Sequence, residues 1–324
     1  MAKIAIVDSD FSDSLIEEQM ARDNNIEIEI CHDRDFQSII ENAKEADGIV
    51  TSYGDFRAEV FEALKPKLKV VSRTGIGYDN IDLEAATNCE CAVCIVPGYG
   101  TEVVSDHAIA LALGVLRRIN SIDSDMRQGI WNYAARRPLG QVHGRTFGVV
   151  GMGEIGRACA RKASGLGFNV VCWSRSLVPG RRTPEGYAIL ELEVLLRTAD
   201  VVSIHCALTP ETRHLIDARR LALMKPTSVI VNTSRGAVID TVALAEALNC
   251  GSLWGAGLDV FEAEPIDFHH PIMNAKNTVL SSHDAYWSEE SGKELRGRSM
   301  QAAIDVLLGR KPVDCLNPEV LCAS

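Results

Sequence analysis

An arginine, a glutamate and a histidine, each placed after an apolar run, stand out in the second half of the chain. Arg235 lies in residues 232–236, Glu264 in 257–265 and His283 in 281–287. A guanidinium can clamp a carboxylate and polarise a carbonyl, a protonated imidazole can deliver a proton, and a carboxylate behind that imidazole can hold its orientation. Reduction of a 2-keto acid needs these three groups together, so their order predicts one catalytic site for such a reaction.

A glycine-rich loop precedes these three residues. Gly151, Gly153 and Gly156 follow the G-x-G-x-x-G spacing, between a predicted strand at 146–150 and a predicted helix at 154–166. The first glycine permits a tight turn, the second lets the backbone approach a pyrophosphate, and the third allows close packing of helix on strand. The loop therefore predicts dinucleotide binding at the start of the helix. The alternative is a glycine-rich turn without a ligand.

The end of the next predicted strand, 169–173, bears on the choice of cofactor. An NAD site usually places an acidic residue there to hold the ribose hydroxyls. Here Ser174 and Arg175 follow the strand, and Arg181 and Arg182 come shortly after. A hydroxyl beside a guanidinium suits a 2′-phosphate better than two free hydroxyls. We therefore predict that NADP(H) is preferred, with NAD(H) as the alternative.

Each of the three catalytic candidates also has a structural interpretation. Arg235 alone is compatible with a surface ion pair, His283 with a hydrogen-bonded core histidine, and Glu264 with a charge at a helix start. Their joint placement behind a dinucleotide-type loop favours the catalytic interpretation, because the carboxyl ends of parallel strands gather ligands at one edge of a sheet.

Short apolar runs that alternate with amphipathic segments must position these residues. The predicted strands are 3–7, 26–31, 48–52, 68–72, 91–96, 146–150, 169–173, 200–205, 228–232, 255–259 and 278–282. The predicted helices include 12–23, 35–46, 56–64, 101–118, 154–166 and 289–308. This alternation is typical of βαβ units. It predicts an α/β fold with two Rossmann-like or flavodoxin-like domains, each built on a parallel sheet.

The break between the two series lies near residues 97–101, where Pro97–Gly100 interrupts the pattern. The last amphipathic helix has no further strands to cover, so we expect it to return to the first domain. We therefore predict a discontinuous substrate (catalytic) domain formed by residues 1–98 and 289–324, and a dinucleotide-binding domain formed by 99–288.

Composition excludes several classes of function. The formal net charge of −11 argues against a general nucleic-acid surface. The chain contains no apolar run of membrane-spanning length, and its N-terminus begins a strand rather than a secretory signal, so a cytoplasmic location is expected. Cys89, Cys91 and Cys94 form a dense group among the ten cysteines. They lie in or beside a buried strand and lack a matching second pair, so we predict free thiols and no metal site, rather than a metal cluster.

The chain resembles the D-isomer-specific 2-hydroxyacid dehydrogenases, and among them the glyoxylate and hydroxypyruvate reductases, from Lys3 to about Pro312. The resemblance is carried by residues 73–82 (RTGIGYDNID), the glycine loop, residues 205–212 (HCALTPET) and the three stretches around Arg235, Glu264 and His283. It implies Arg235 as the substrate-binding arginine, His283 as the acid/base and Glu264 as its partner. It also implies a small 2-keto or 2-hydroxy acid as substrate and a homodimer formed through the helix at 101–118.

Further site residues follow from the same resemblance. The backbone N–H groups of 74–77 are expected to receive the substrate carboxylate. The predicted substrate-binding residues are Arg73, Thr74, Gly75, Ile76, Gly77 and Tyr286. The predicted cofactor-binding residues are Thr101, Gly151, Gly153, Glu154, Ile155, Gly156, Ser174, Arg175, Cys206, Thr209, Pro210, Thr233 and Asp259, the last beside the nicotinamide carboxamide.

Two features depart from the usual family pattern, Asp284 and the pair Tyr286-Trp287. Asp284 stands where a small or apolar residue is common, and either is simply solvated or tunes His283 or a polar end of the substrate. Tyr286-Trp287 and Arg73 are shared with the C-terminal-binding corepressors. Arg73 is therefore interpreted either as favouring a second anionic group on the substrate or as part of a structural ion pair. The corepressor features also leave a second function open, that of a nucleotide-sensing, dimerising scaffold.

Overall fold

Two parallel β-sheets, each with helices against both of its faces, make up the computed structural model of the chain. The structure describes residues 1–9, 11–32, 34–134 and 139–322, so the last two residues of the predicted range 289–324 lie outside it. The chain divides into two units, the first comprising Met1–Tyr99 and Ser288–Ser324 and the second Gly100–Trp287. Within the described ranges, no helix combines the length and apolar character needed to cross a membrane.

The strands and helices alternate along most of the chain. The strands are β1 (Lys3–Val7), β2 (Glu27–Ile30), β3 (Gly48–Thr51), β4 (Val70–Arg73), β5 (Ala92–Cys94), β6 (Thr146–Val150), β7 (Asn169–Trp173), β8 (Ala188–Ile189), β9 (Val201–Ile204), β10 (Val229–Asn232), β11 (Gly255–Leu258) and β12 (Thr278–Leu280). The α-helices are α1 (Leu15–Asp23), α2 (Phe36–Ala43), α3 (Ala58–Leu64), α4 (Leu83–Asn88), α5 (Thr101–Arg117), α6 (Ile119–Arg127), α7 (Glu154–Gly165), α8 (Leu192–Thr198), α9 (Ala218–Leu221), α10 (Thr241–Cys250) and α11 (Glu289–Leu307).

The first unit is built on a five-stranded sheet in the order β2-β1-β3-β4-β5, with all neighbours parallel. Successive residues of a strand point to opposite faces, so Ile4 and Ile6 pack with α1 and α11 on one face, whereas Ala5 and Val7 pack with α2 and α3 on the other. Both faces are thus buried, as expected for a parallel sheet. The order is that of flavodoxin-like folds.

The second unit is built on a seven-stranded parallel sheet in the order β12-β11-β10-β9-β6-β7-β8. Helices α5 and α7 cover one face, and α8, α9 and α10 cover the other. The chain leaves β6 toward β7 on one side and returns as β9 on the other side. Such a reversal of strand order opens a crevice at the carboxyl ends of the strands, where open α/β sheets bind ligands.

Aspartates begin several of the helices and so fix where the preceding loops end. The carboxylates of Asp35, Asp82, Asp217 and Asp240 each accept a hydrogen bond from the backbone N–H three residues later. These N-terminal N–H groups have no partner inside the helix, and an aspartate at this position satisfies one of them. Asp240 matters most for the site, because it caps α10 next to Thr241, whose N–H bonds to Glu262 in the loop that carries Glu264.

The predicted fold class is confirmed, although several elements differ from their predicted bounds. Strand β8 was not predicted, because two residues are too short to show a periodicity. The strand predicted over 91–96 covers only Ala92–Cys94. Its last residues turn to other partners, since Ile95 donates its N–H to the carbonyl of Asp314 at 3.1 Å and Val96 donates to Gly75 at 2.8 Å.

Candidate active site

His283 and Glu264 form a hydrogen-bonded pair at the carboxyl edge of the second sheet. His283 follows β12 and Glu264 follows β11, and Nδ1 of the imidazole lies 2.6 Å from Oε2 of the carboxylate. The other carboxylate oxygen, Oε1, accepts the N–H of Phe261 at 2.8 Å. Because both oxygens of Glu264 are engaged, the carboxylate is held in place and in turn orients the imidazole ring.

The charge of Glu264 depends on several opposing influences. Burial raises the pKa of this carboxyl group, whereas the hydrogen bond and charge of His283, the Phe261 N–H and the charge of Arg235 lower it, and the lowering outweighs the burial. The carboxylate therefore stays ionised at neutral pH. The influence of Arg235 also shows that its guanidinium lies within electrostatic range of Glu264, so the three predicted catalytic residues are gathered in one region.

The turn that presents Arg235 is closed by the side chain of Asn232, the last residue of β10. Its amide nitrogen donates to the carbonyl of Arg235 at 2.9 Å, and its amide oxygen accepts the N–H of Ser234 at 3.0 Å. Asn232 is only 1% exposed. A buried side chain with both ends bonded leaves the turn little freedom, so Arg235 is held at a defined position after the strand.

Gly236 ties this turn to the Glu264 loop. A Cβ atom built at Gly236 would lie 1.8 Å from the carbonyl carbon of Phe261 and 2.4 Å from the backbone nitrogen of Glu262. These are backbone atoms that cannot rotate away, so a residue without a side chain is required for this close approach. The distance between the Arg235 turn and the Glu264 loop is therefore set by a glycine.

Asp259 shapes the loop that carries His283. The carboxylate of this fully buried residue accepts the N–H groups of Asp284 at 3.0 Å and Ala285 at 3.1 Å, while its carbonyl accepts the N–H of His283 at 2.8 Å. His283 has a φ of 62°, which is uncommon for a residue other than glycine. Three bonds to one aspartate hold the loop in this conformation. The contact of Asp259 with a nicotinamide carboxamide stays a prediction.

His107 and Ser281 also contact Asp259, and neither was predicted as a site residue from the sequence. The Ser281 hydroxyl donates to Asp259 Oδ1 at 2.6 Å, and Nε2 of His107 lies 2.8 Å from the same hydroxyl oxygen and 3.5 Å from Asp259 Oδ1. His107 belongs to α5, where Val104 and Leu111, one turn away on either side, are buried. A histidine on the apolar stripe of a helix is the sequence signal that identifies it.

A second histidine–glutamate pair lies close by and was also missed. Nε2 of His214 lies 2.7 Å from Oε2 of Glu262, whose Oε1 accepts the N–H of Thr241 at 3.0 Å. Burial raises the pKa of Glu262, and the bonds to Thr241 and His214 lower it to a greater extent. The backbone N–H of His214 also donates to Ala237 at 2.8 Å. This pair braces the Glu262 loop against the start of α10.

The glycine loop has the geometry that a dinucleotide pyrophosphate requires. Gly151 has a φ of 100°, and a Cβ there would lie 2.6 Å from the carbonyl of His205. A Cβ at Gly156 would lie 2.0 Å from the carbonyl oxygen of Gly151, whereas a Cβ at Gly153 would meet nothing within 4 Å. The loop is thus tightly packed behind and open in front, where α7 begins at Glu154 and its first N–H groups need partners.

The hydroxyl group of Thr233 is a second, independent indication that a ligand binds at this edge of the sheet. Among the described residues, its hydroxyl oxygen is one of the buried side-chain atoms that have no hydrogen-bond partner, and the residue is 9% exposed. Buried hydroxyls are nearly always bonded in folded proteins. Thr233 directly follows β10, at the sheet edge that also carries the glycine loop. The open front of the glycine loop and the unbonded hydroxyl of Thr233 both fit a bound dinucleotide.

The residues predicted to contact the cofactor ribose gather beside the glycine loop. Gly151 donates its N–H to the carbonyl of Trp173 at 2.8 Å, so the end of β7 lies next to the loop. Arg175, two residues on, pairs with Glu211 at 3.6 Å, and Glu211 also accepts the Thr209 hydroxyl at 2.7 Å. The side chain of Arg175 is 73% exposed, so this ion pair is weak and its guanidinium is available to a phosphate. The remaining predicted cofactor residues lie as follows: Thr101 begins α5, Ile155 lies in the first turn of α7, Ser174 follows β7, and Cys206 and Pro210 follow β9.

The predicted substrate loop belongs to the first unit, where it follows β4. Arg73 is buried and donates from Nη1 to the carbonyl of Thr74 at 2.9 Å. Its guanidinium lies over Gly75, where an added Cβ would meet Nη1 at 1.1 Å and where φ is 152°. Ile76 and Gly77 complete the loop and are half-buried. Arg73 thus supports the backbone of its own loop, and its predicted role toward the substrate stays a prediction.

Two aromatic side chains follow His283 in the sequence, and the first of them, Tyr286, contacts its ring. The ring of Tyr286 meets that of His283 edge to face, with centroids 6.2 Å apart, and Trp287 meets Tyr286 in the same way at 6.2 Å. Asp284 is exposed, and its carboxylate accepts the hydroxyl of Ser282. These contacts place Tyr286 at the site and leave Asp284 at its solvated margin.

Residues 109–285 match the family model described as the NAD binding domain of D-isomer specific 2-hydroxyacid dehydrogenases. A glyoxylate reductase of Korarchaeum cryptofilum is 41% identical over 287 residues, which cover 87% of this chain and 86% of that relative. Among solved structures, the TT0316 protein of Thermus thermophilus superposes with a TM-score of 0.88 at 34% identity, covering 97% of this chain and 99% of that one. An acyclic imino acid reductase in complex with NADPH and D-Arg superposes with a TM-score of 0.86 at 25% identity, covering 97% and 99%.

Proposed function

The chain belongs to the D-isomer-specific 2-hydroxyacid dehydrogenase family and is a nicotinamide-dependent oxidoreductase, and we propose that it reduces glyoxylate and similar small 2-keto acids to the 2-hydroxy acids. The observation that carries this proposal is the 2.6 Å bond between His283 and Glu264 with the charge of Arg235 nearby. The glyoxylate reductase of Korarchaeum cryptofilum supports the choice of substrate.

In the proposed mechanism, a reduced nicotinamide cofactor held at the glycine loop of Gly151, Gly153 and Gly156 would provide the hydride that C2 of the keto acid accepts. His283 protonates the carbonyl oxygen through Nε2, because Nδ1 is engaged by Glu264. Glu264 remains ionised and balances the positive charge of the imidazolium before the proton leaves. Arg235 binds the substrate carboxylate and polarises its carbonyl, which stabilises the negative charge that develops on that oxygen. The neutral His283 then regains a proton from solvent.

The two units have different roles in this proposal. Residues 99–288 hold the cofactor, and residues 1–98 with 289–324 form the substrate (catalytic) domain. The backbone N–H groups of 74–77 receive the substrate carboxylate, since Gly75 lets the backbone come close to a ligand. Two roles are open for Arg73. The first is to favour a second polar or anionic group on the substrate. The second is a structural role, which its burial against Thr74 and Gly75 supports.

NADP(H) is the preferred cofactor in this proposal. Ser174 and Arg175 stand at the end of β7 where an acidic residue would select NAD, and the relative solved with NADPH shares the fold. The Michaelis constants of NADPH and NADH, measured with glyoxylate at saturation, test the preference. We expect the constant for NADPH to be at least roughly tenfold lower. A lower constant for NADH contradicts the preference and leaves the reaction class untouched.

A homodimer formed through α5 and the segment after it completes the proposal. None of the residues of α6 is buried, although Ile119, Ile122 and Met126 are apolar, and Ile130 and Trp131 beyond it are exposed as well. An exposed apolar patch of this kind marks an interaction surface. Light scattering of the purified protein gives the oligomeric state directly, and a monomer refutes this part of the proposal.

A panel of 2-keto acids assayed with both reduced cofactors tests the function. We expect glyoxylate turnover that falls by about a thousandfold in Arg235→Ala and is partly restored in Arg235→Lys, because lysine keeps the charge and loses the bidentate geometry. Tyr286-Trp287 motivates the alternative of a nucleotide-sensing scaffold. Cofactor binding without turnover of any 2-keto acid would favour that alternative.

A further inference from the structure

Two cysteines from opposite ends of the first unit lie directly across from each other. Cys94 is the last residue of β5, and Cys315 belongs to the segment after α11. The two residues form an isolated antiparallel bridge. Neither is in a disulfide in the structure. They lie outside the residues assigned to the reaction.

The register of this bridge brings the two side chains together. Ile95 donates its N–H to the carbonyl of Asp314 at 3.1 Å, and Leu316 donates to Val93 at 2.8 Å. These bonds flank the cysteines, so Cys94 and Cys315 form a non-hydrogen-bonded antiparallel pair. In such pairs the Cα atoms lie about 4.5 Å apart and the side chains approach closely. This separation is within the range of disulfides, roughly 4.4–6.8 Å.

The segment that carries Cys315 is held firmly against β5. Asn317 is 1% exposed, and its side chain accepts the N–H of Val93 at 2.8 Å and donates to the carbonyl of Cys91 at 2.9 Å and to the hydroxyl of Thr87 at 3.0 Å. Each of these bonds joins residues that are far apart in the sequence. The surrounding backbone and the side chain of Asn317 therefore keep the two cysteines in register.

The two thiols differ in reactivity. A hydrogen bond from Cys94 lowers the pKa of Cys315 to about 7, and the same bond, together with burial, raises the pKa of Cys94. Cys315 is half-buried, whereas Cys94 has no exposed surface. A partly exposed thiolate beside a buried thiol is the arrangement of a cysteine that is oxidised first and a second cysteine that resolves its sulfenic acid.

We propose that Cys94 and Cys315 are a redox-active dithiol that a peroxide converts to a disulfide. The Cys315 thiolate attacks hydrogen peroxide, which breaks the O–O bond, gives a sulfenic acid on Cys315 and releases hydroxide. The Cys94 sulfur then attacks the Cys315 sulfur, the S–O bond breaks, and the hydroxyl group leaves as water with the thiol proton. Two thiols and one peroxide become one disulfide and two waters.

Formation of the disulfide stabilises the first unit. The bond would join β5 to the C-terminal segment across most of the length of the chain, and closing so long a loop restricts the unfolded state strongly. We expect the melting temperature of the oxidised protein to rise by about 5 °C. Dithiothreitol should reverse the rise.

Peptide mapping tests the proposal on the full-length protein. A Cys250→Ser background removes the one cysteine that is exposed among those the structure describes, which is an obvious site of cross-linking between molecules. After treatment with hydrogen peroxide, blocking with N-ethylmaleimide and tryptic digestion, we expect one cross-linked peptide. Fragmentation should place the bond between Cys94 and Cys315 and exclude Cys89 and Cys91 on one peptide and Cys322 on the other.

Cys315→Ser in the same background is the matched control. It should give no cross-linked peptide and no rise in melting temperature on oxidation, while the reduced forms melt alike. A bond to Cys91 instead, or sulfinic acid on Cys315 beside an unmodified Cys94, would overturn the proposal. If the serine variant folds poorly, the peptide map of the Cys250→Ser protein still decides, because the cross-linked peptide is either found or not.

Discussion

Two histidine–glutamate pairs use glutamates of the same loop, Glu262 and Glu264, and their surroundings differ. His283–Glu264 and His214–Glu262 have nearly equal hydrogen bonds, 2.6 and 2.7 Å, and both histidines have positive φ. Glu262 uses its second oxygen to hold Thr241 at the start of α10, so it joins two elements. Glu264 uses its second oxygen within its own loop and lies in the field of Arg235.

The geometry of an imidazole–carboxylate pair does not by itself distinguish a catalytic role from a structural one. The pKa of each glutamate is lowered, despite opposing burial, by its histidine and by a backbone N–H. What distinguishes the His283 pair is the nearby guanidinium and a loop shaped by a buried aspartate. We therefore expect the first pair to act in the reaction and the second to act in folding, and the following variants separate the two roles.

The largest effect is expected from the two histidines. His283→Ala should lower kcat by about 10²–10⁴-fold, because it removes the general acid, and should leave the dissociation constant of the reduced cofactor unchanged. The matched variant His214→Ala should keep kcat within about threefold and lower the melting temperature by a few degrees. Steady-state kinetics and fluorescence titration measure both. Equal losses of kcat in the two variants would remove the distinction.

Gly236→Ala should have the next largest effect. Its Cβ would overlap the backbone of Phe261 and Glu262, so the Arg235 turn must move away from Glu264. A displacement of about 1 Å between catalytic groups lowers kcat/KM by about a hundredfold. Gly165→Ala is the control, since a Cβ there meets nothing within 4 Å and alanine favours the helix. Unchanged kinetics in Gly236→Ala would show that the close approach is not needed.

Substitution of each glutamate by glutamine tests the comparison through kcat and through the pH dependence of stability. Glu264→Gln should lower kcat at neutral pH by about 10–100-fold, and Glu262→Gln by less than about threefold, because glutamine can still accept the Thr241 N–H. Both pKa values are lowered in the folded state. The stability that each carboxylate contributes is therefore present above the ordinary glutamate pKa of about 4.3 and is lost as the pH falls through the lowered value.

Thermal melts from neutral pH down to about pH 3 check this dependence. The melting temperatures of the parent protein and of each glutamine variant should differ at neutral pH and converge in acid. Divergence toward low pH would mean that the pKa values are raised rather than lowered.

The smallest effect is expected from His107, which positions the His283 loop through Ser281 and Asp259. His107→Leu should lower kcat about three- to tenfold, and His107→Gln should restore most of the loss, because its amide can still bond to the Ser281 hydroxyl. A structural role alone would affect the melting temperature in both variants and leave kcat unchanged. The ratio of kcat between the two variants separates these possibilities.

Much of the fold was predictable because its signals are local. Alternation of apolar runs with amphipathic segments revealed two parallel sheets, and β1, β6 and β7 have the predicted bounds. The end of β5 was not predictable from local signals. Residues 95 and 96 continue the apolar run, yet their N–H groups bond to Asp314 and Gly75, which are remote in sequence.

The amino-acid sequence alone determined the family, the fold class and the candidate residues Arg235, Glu264 and His283, because residue type and spacing encode these directly. The family resemblance already implied that Glu264 pairs with His283, whereas only the tertiary structure revealed that the neighbouring Glu262 pairs with His214. Glu262 and Glu264 are close in the sequence and equally able to accept a proton donor, so the choice depends on loop geometry. That geometry arises from the close approach at Gly236 and from the bonds of buried Asp259. These contacts join loops that follow different strands, so no local sequence pattern predicts them.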